Sequence, residues 1–223
     1  ISIVGTGVIS FGKETVFMSP AFGYDYNECQ CSLFFSSTLC HPSAMIRKSF
    51  LKEHCLKYDE NVKKGQDYDL WERCSVYGKL TVMSDVLLYY RLHAAQITST
   101  NRGDQDSTAD AVRKRRIGRL GIVPTEMEYV CHKLLASGKN ESVTVKDIKD
   151  WINKILTSNK TLTLVNENTL KRDLNTRLVL YKLRNHKFIY DPKELILLCC
   201  IIFSRIRAKR KLAKEKNKFT YKI

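Results

Sequence analysis

Near residue 100 the chain changes character, and this break constrains what it can fold into more than any single motif does. Residues 1–100 hold 10 Lys or Arg and 10 Asp or Glu, so they are neutral; residues 101–223 hold 28 and 13 and carry the whole net charge of +15. The pattern of apolar residues changes at the same place. Before it, short β-branched and aromatic runs alternate with glycine and turn residues; after it, apolar residues recur at helical spacing. The organisation expected is an α/β part followed by an all-helical, basic part, divided at residues 1–103 and 104–223. A Ser-, Thr-, Asn-, Gly- and Asp-rich linker is expected over 98–106. An apolar fraction of 43% excludes a disordered chain. The longest apolar run, 195–203, is too short to span a bilayer. No secretory signal is visible, and the chain opens inside an apolar run at Ile1 rather than at a Met.

In the first part, 1–18 reads as strand, turn, strand, with the turn at Gly5-Thr6-Gly7, and 19–31 reads as turn-rich. Ala44-Met45-Ile46 is a short strand candidate, 49–54 a short helix and 67–77 a longer one, in which Leu70, Cys74 and Tyr77 share a face. Residues 79–83 and 86–90 read as two strands. In the second part, Thr125-x-x-Glu128 and Thr144-x-x-Asp147 are capping boxes that open helices. Leu170, Leu174, Leu178 and Tyr181 mark a third helix. Asp191-Pro192 starts a last one, which runs into a tail, 204–223, with nine basic residues and one acidic one.

Eight cysteines include no Cys-x-x-Cys pair; Cys29-x-Cys31 with Cys40-His41 is a weak zinc pattern, and reduced thiols are expected. Sequons at Asn140 and Asn159 matter only in a secretory compartment. Asp67 stands where a loop becomes a helix. There the macrodipole favours a carboxylate, which serves either as a cap or as a general base. Asp69, two residues on, faces elsewhere.

Several strings share one order and spacing: His41-Pro-Ser-Ala-Met-Ile-Arg47-Lys48-Ser, Tyr58-Asp-Glu, Gln66-Asp67-Tyr68-Asp-Leu-Trp71-x-Arg73, Gly78-Lys79, and Val86-Leu-Leu-x-Tyr90-Arg91-x-His93-x-x-Gln96. Together they resemble the C-terminal half of a family 2 glycosyltransferase with the GT-A fold. The later helices, from Leu120-Gly-Ile-x-Pro124 onward, are similar to the helical extension of bacterial members. The fold class implied is α/β: the C-terminal part of a GT-A nucleotide-diphospho-sugar transferase followed by an all-helical extension.

The resemblance implies an inverting transfer from a nucleotide-sugar donor to a glycan or lipid-linked acceptor, as in surface polysaccharide or lipopolysaccharide synthesis. Asp67 matches the family's catalytic base, and Gln66 stands where the family's first acid stands. His93 matches a histidine near a divalent cation, Mg or Mn, that neutralises the leaving diphosphate. His41, Arg47, Gln66, Tyr68, Trp71 and Arg91 fall in the matching strings as substrate-binding candidates, although a helix-face Trp is commonly core. No Asp-x-Asp of the family's metal-binding kind precedes Ile1. The expectation is therefore that the donor-binding half lies upstream and that this chain alone is inactive.

The basic half leaves three readings. Arg113-Lys-Arg-Arg116 and the tail fit nucleic acid, a solvated helix face, or an anionic membrane surface reached through 195–223. Nucleic acid is the least favoured, since no stacking platform accompanies the charge. The location expected is cytoplasmic, peripheral on the inner face of the cytoplasmic membrane. The alternative function is a non-catalytic basic module.

Overall fold

A computed structural model describes residues 1–12, 23–92, 102–137, 143–187 and 191–220, without the side chains of 102–105 and 216–220. The described residues form a mixed α/β structure with a three-stranded sheet and eight α-helices. Strand β1 (Ile3–Gly12) lies at the centre of the sheet, between β2 (Met45–Ile46) and β3 (Leu80–Leu92). β1 pairs antiparallel with β2 and parallel with β3, from Ile3 opposite Leu80 to Gly12 opposite Leu92. The helices are α1 (Tyr26–Ser32), α2 (Lys48–Glu53), α3 (Gln66–Cys74), α4 (Arg102–Gly118), α5 (Glu126–Ala136), α6 (Val145–Leu162), α7 (Glu167–Arg184) and α8 (Pro192–Thr220).

The hairpin expected at the start is not formed: within the described residues, one strand runs straight through Gly5 and Gly7. These glycines serve a bulge rather than a turn. Between Gly5 and Gly7 the register moves from Val82 to Val86, so β3 spends four residues where β1 spends two. A Cβ on Gly7 would stand 3.0 Å from the Asp85 carbonyl oxygen, a tight contact with backbone that glycine avoids where the two strands approach. The same bulge broke the apolar pattern of β3 at Ser84-Asp85, which made one strand read as two.

The turn-rich reading of 19–31 also fails over its described part. Asp25 accepts the Glu28 amide at 2.8 Å and Glu28 accepts the Asp25 amide at 3.1 Å, a capping box that starts α1. The later helices begin as their caps dictate: Thr125 accepts from Glu128 for α5, Thr144 from Asp147 for α6, and Asn166 from Thr169 for α7. Helix α4 begins within the stretch expected to be a linker; the remainder of that stretch, 98–101, lies outside the described residues.

Two apolar clusters form the core, and each draws on both sides of residue 103. One joins Phe34 and Phe35, just after α1, to Ile117, Leu135, Trp151, Leu170 and Tyr181. The other joins Ile3, Leu70, Trp71 and Leu80 to Val112 of α4. The eight cysteines are all free thiols. Asn159 is buried, with its amide exchanging two hydrogen bonds with the Val165 backbone, so the second sequon is closed to an enzyme in this fold; Asn140 lies outside the described residues.

Candidate active site at the start of helix α3

Gly65 makes the turn that admits α3. Its φ of 72° is left-handed, a conformation that glycine adopts without strain. No side chain caps the helix, so its first amides are left to the groups around them. Gln66 and Asp67 occupy this first turn, both half-buried. Asp67 has no hydrogen bond or ion pair with another described residue. A carboxylate here is favoured by the helix macrodipole and keeps all its acceptor capacity for a ligand.

The other candidate groups come from a different stretch. After Cys40, a 3₁₀ turn (His41–Ser43) is tied to the sheet by the Thr6 amide donating to Ser43 Oγ at 3.3 Å, while Ser43 Oγ donates to the Cys40 carbonyl at 2.8 Å. This turn holds His41 at the surface. His41 Nε2 and Tyr58 Oη share a hydrogen bond of 2.9 Å. The His41 ring meets Trp71 edge to face, with centroids 6.2 Å apart. The Asp67 charge reaches both neighbours. Burial first, and then Asp67, pushes the Cys40 thiol up to about 11; the same two causes raise the Tyr58 phenol above its ordinary value. At neutral pH both stay protonated, so Tyr58 is available as a hydroxyl donor. A groove of about 400 Å³, lined by Tyr58, Asp59, Glu60, Asn61 and Arg73, adjoins the cluster through Tyr58.

Of the site candidates read from the sequence, Gln66 and Asp67 share the first turn of α3, Trp71 lies one turn on, and His41 meets the Trp71 ring. Trp71 is the floor: it is wholly buried, and its Nε1–H has no partner. Tyr68 is turned into the core, its hydroxyl donating to the Leu33 carbonyl at 2.7 Å, so it is closed to a ligand in this arrangement. Arg47 is exposed at the start of α2, where its amide donates to the Ser2 carbonyl. Arg91 lies at the far end of β3, opposite Phe11. His93 lies outside the described residues. Among the described residues no group of three or more His, Cys, Asp or Glu side chains could hold a metal ion. Tyr58 has no role that the sequence reveals. Seventeen residues separate it from His41, and no local periodicity reveals such a pair.

Asp69 and Glu72 belong to the other side of α3. Asp69 pairs with Arg73 at 2.7 Å and with Arg115 at 2.9 Å. Glu72 is held by Arg115 and Arg119. Arg116 is buried, donating to Ser75 Oγ and to the Gln30 carbonyl and side-chain oxygens; the low-polarity surroundings push its guanidinium down to about 10. Arg113 donates to the Phe35 carbonyl at 2.8 Å. The run Arg113–Arg116 is thus not a solvated basic face. Three of its four residues hold α4 against α1 and α3, and Lys114 lies over the Tyr129 ring.

Two proteins named as uncharacterized glycosyltransferases resemble part of this chain. One, from Methanocaldococcus jannaschii, is 37% identical over 70 residues, which is 31% of this chain and 23% of that protein. The other, from Haemophilus influenzae, is 30% identical over 99 residues, which is 42% of this chain and 30% of that protein. The matched segments span less than a third of either relative. These likenesses support a glycosyltransferase relationship and reach neither a particular family nor a fold. No family model matches the chain. No solved structure matches it either.

Proposed function

We propose that this chain is the acceptor-side part of an inverting glycosyltransferase of family 2 with the GT-A fold. The observation that carries the reading is Asp67, a carboxylate on the first turn of α3 without a partner among the described residues, whose charge helps to raise the phenol of Tyr58 in the His41–Tyr58 pair. The two glycosyltransferase-named relatives support it. Asp67 takes the proton of an acceptor hydroxyl. That oxygen forms its bond to the anomeric carbon of a nucleotide sugar as the bond to the nucleoside diphosphate breaks, and the configuration inverts. His41 and Tyr58 supply hydrogen bonds that orient the acceptor, a glycan or a lipid-linked sugar in surface polysaccharide or lipopolysaccharide synthesis. Arg47 and Arg91 belong to the proposal as substrate contacts farther from Asp67. A divalent cation, Mg or Mn, belongs to it through His93, and when bound it would neutralise the leaving diphosphate.

The competing reading, a basic module without catalysis, loses Arg113, Arg115 and Arg116 as contact residues, because they are engaged inside the fold. The test is Asp67→Asn in the complete protein, assayed with a panel of UDP- and GDP-sugars. Transfer should fall by about two to four orders of magnitude while nucleotide binding is kept. Unchanged transfer would remove Asp67 as the base.

A further inference from the structure

Helix α8 has one side packed on the protein and one side facing out. Its start is fixed by Lys182 of α7, whose ammonium donates to both Glu194 carboxylate oxygens at 2.7 and 2.6 Å in a buried pair. Farther along, the Lys211 ammonium donates to the Ser84 carbonyl of β3. Leu197, Leu198, Ile201, Ala208 and Leu212 are the better-covered apolar residues of the segment. The opposite face carries Leu195, Cys199, Ile202 and Ile206 at spacings of four, three and four, with Ile196 and Phe203 beside them. These side chains lie in the open: Ile196 is 64% exposed and Phe203 68%. The same face continues, without a turn of the stripe, into Lys209, Arg210 and Lys214, all exposed and without an ion pair to a described residue.

We propose that this face of α8 is a docking surface for an anionic lipid bilayer. The two halves of the stripe match the two layers of such a surface. The apolar half, 195–206, is about 18 Å long at about 1.5 Å per residue, too short to cross a hydrocarbon core of about 30 Å. No helix among the described residues is long and apolar enough to cross a membrane. Twelve residues suffice for three turns lying in the interface, with Ile196 and Phe203 among the acyl chains. The basic half then stands at the level of the lipid phosphates, where its charge is complementary to them. Nucleic acid would engage the cations and leave the apolar half uncovered. This inference concerns α8 alone and stands apart from the assignment of Asp67.

The test is flotation of the full chain with vesicles of phosphatidylcholine alone, or of phosphatidylcholine with phosphatidylglycerol, at low and high salt. The chain should float with the anionic vesicles at low salt and be released at high salt. Ile202→Ser/Phe203→Ser, on side chains already in water, should keep the thermal midpoint and lower partitioning at least tenfold. Lys209→Gln/Arg210→Gln/Lys214→Gln should lower it about a hundredfold, at roughly fivefold per cation. The proposal is overturned if the chain ignores anionic vesicles, if it floats equally with neutral ones, or if either variant floats like the parent. A dimer by light scattering that Phe203→Ser abolishes would assign the stripe to a second copy instead. Tighter binding to duplex or single-stranded nucleic acid than to the vesicles would likewise overturn it.

Discussion

Glu72 of α3 accepts a hydrogen bond from Arg115 of α4 at 2.5 Å, with its carboxylate wholly withdrawn from water. Arg119 holds the other carboxylate oxygen at the same distance. One buried anion therefore ties the helix that carries Asp67 to the first helix of the basic half. Part of the charge of that half is internal structure.

The two arginines are about a third exposed while Glu72 is not exposed at all, so the ends of this contact are unequal. Removing one arginine leaves the carboxylate a partner. Removing both leaves a buried charge with none, the costly case. Arg115→Met/Arg119→Met should therefore lose about 3–5 kcal/mol of stability, more than the sum of the single variants, in urea unfolding of all three. Strict additivity would show that the two do not share Glu72.

Asp67 and Asp69 are two residues apart and should fail differently. Asp69 is nearly buried between Arg73 and Arg115, so Asp69→Asn breaks two ion pairs and should cost about 2–3 kcal/mol. Asp67 has no partner to lose among the described residues, and Asp67→Asn should leave the unfolding free energy within about 0.5 kcal/mol of the parent. In the complete protein the order reverses for transfer, with Asp67→Asn the more damaging. An Asp67→Asn protein that unfolds as easily as Asp69→Asn would make Asp67 a structural residue.

What the sequence made legible was local. The boxes at Thr125 and Thr144 and the Pro192 start each satisfy helix amides within three or four residues, and those helices begin as expected. Pairing across the chain was hidden. Gly5 and Gly7 look like a turn until β3 lies parallel beside them, and that pairing closes about 80 residues of chain. The capping box at Asp25 was present in the letters but sat in a stretch without apolar periodicity. A run such as Arg113–Arg116 states its charge and not its face; burial of Arg116 follows from Gln30 and Ser75 arriving from two other helical segments. At the site, the resemblance points to Asp67 and its neighbours as candidates without showing which of them face the surface. The separation of Asp67, facing out, from Tyr68, facing the Leu33 carbonyl, needed the packed structure.

Gly65 should be needed for its torsion. Its φ of 72° costs a residue with a Cβ about 1–2 kcal/mol, and that Cβ would also press on the Thr108 methyl at 3.2 Å. Gly65→Ala should destabilise by at least this amount. In a Thr108→Ser background, which removes the methyl, most of the loss should remain. A loss that disappears in that background would assign it to contact instead of torsion.

His132 should give the fold an acid limb of its own. It is completely buried: its Nε2–H donates to the Phe34 carbonyl at 2.7 Å, its Nδ1 accepts from Trp151 Nε1–H at 3.4 Å, and its ring stacks on Phe35. Both ring nitrogens are satisfied only when the ring is neutral. Burial pushes its pKa down from 6.5 to about 3. The folded value lies below the unfolded one, so on acidification the unfolded chain takes the proton first. The stabilisation is fully present above about 6.5 and is lost as pH falls toward about 3, at about 1.4 kcal/mol per pH unit. His132→Gln keeps a donor for Phe34 and removes the titration. It gives up the ring contacts, so it should be less stable at neutral pH, yet its stability should fall less steeply between about 6.5 and 4.5, above the range where most carboxylates titrate. Urea midpoints of both proteins across that interval measure the two slopes. Parallel slopes would mean that His132 takes up its proton without unfolding.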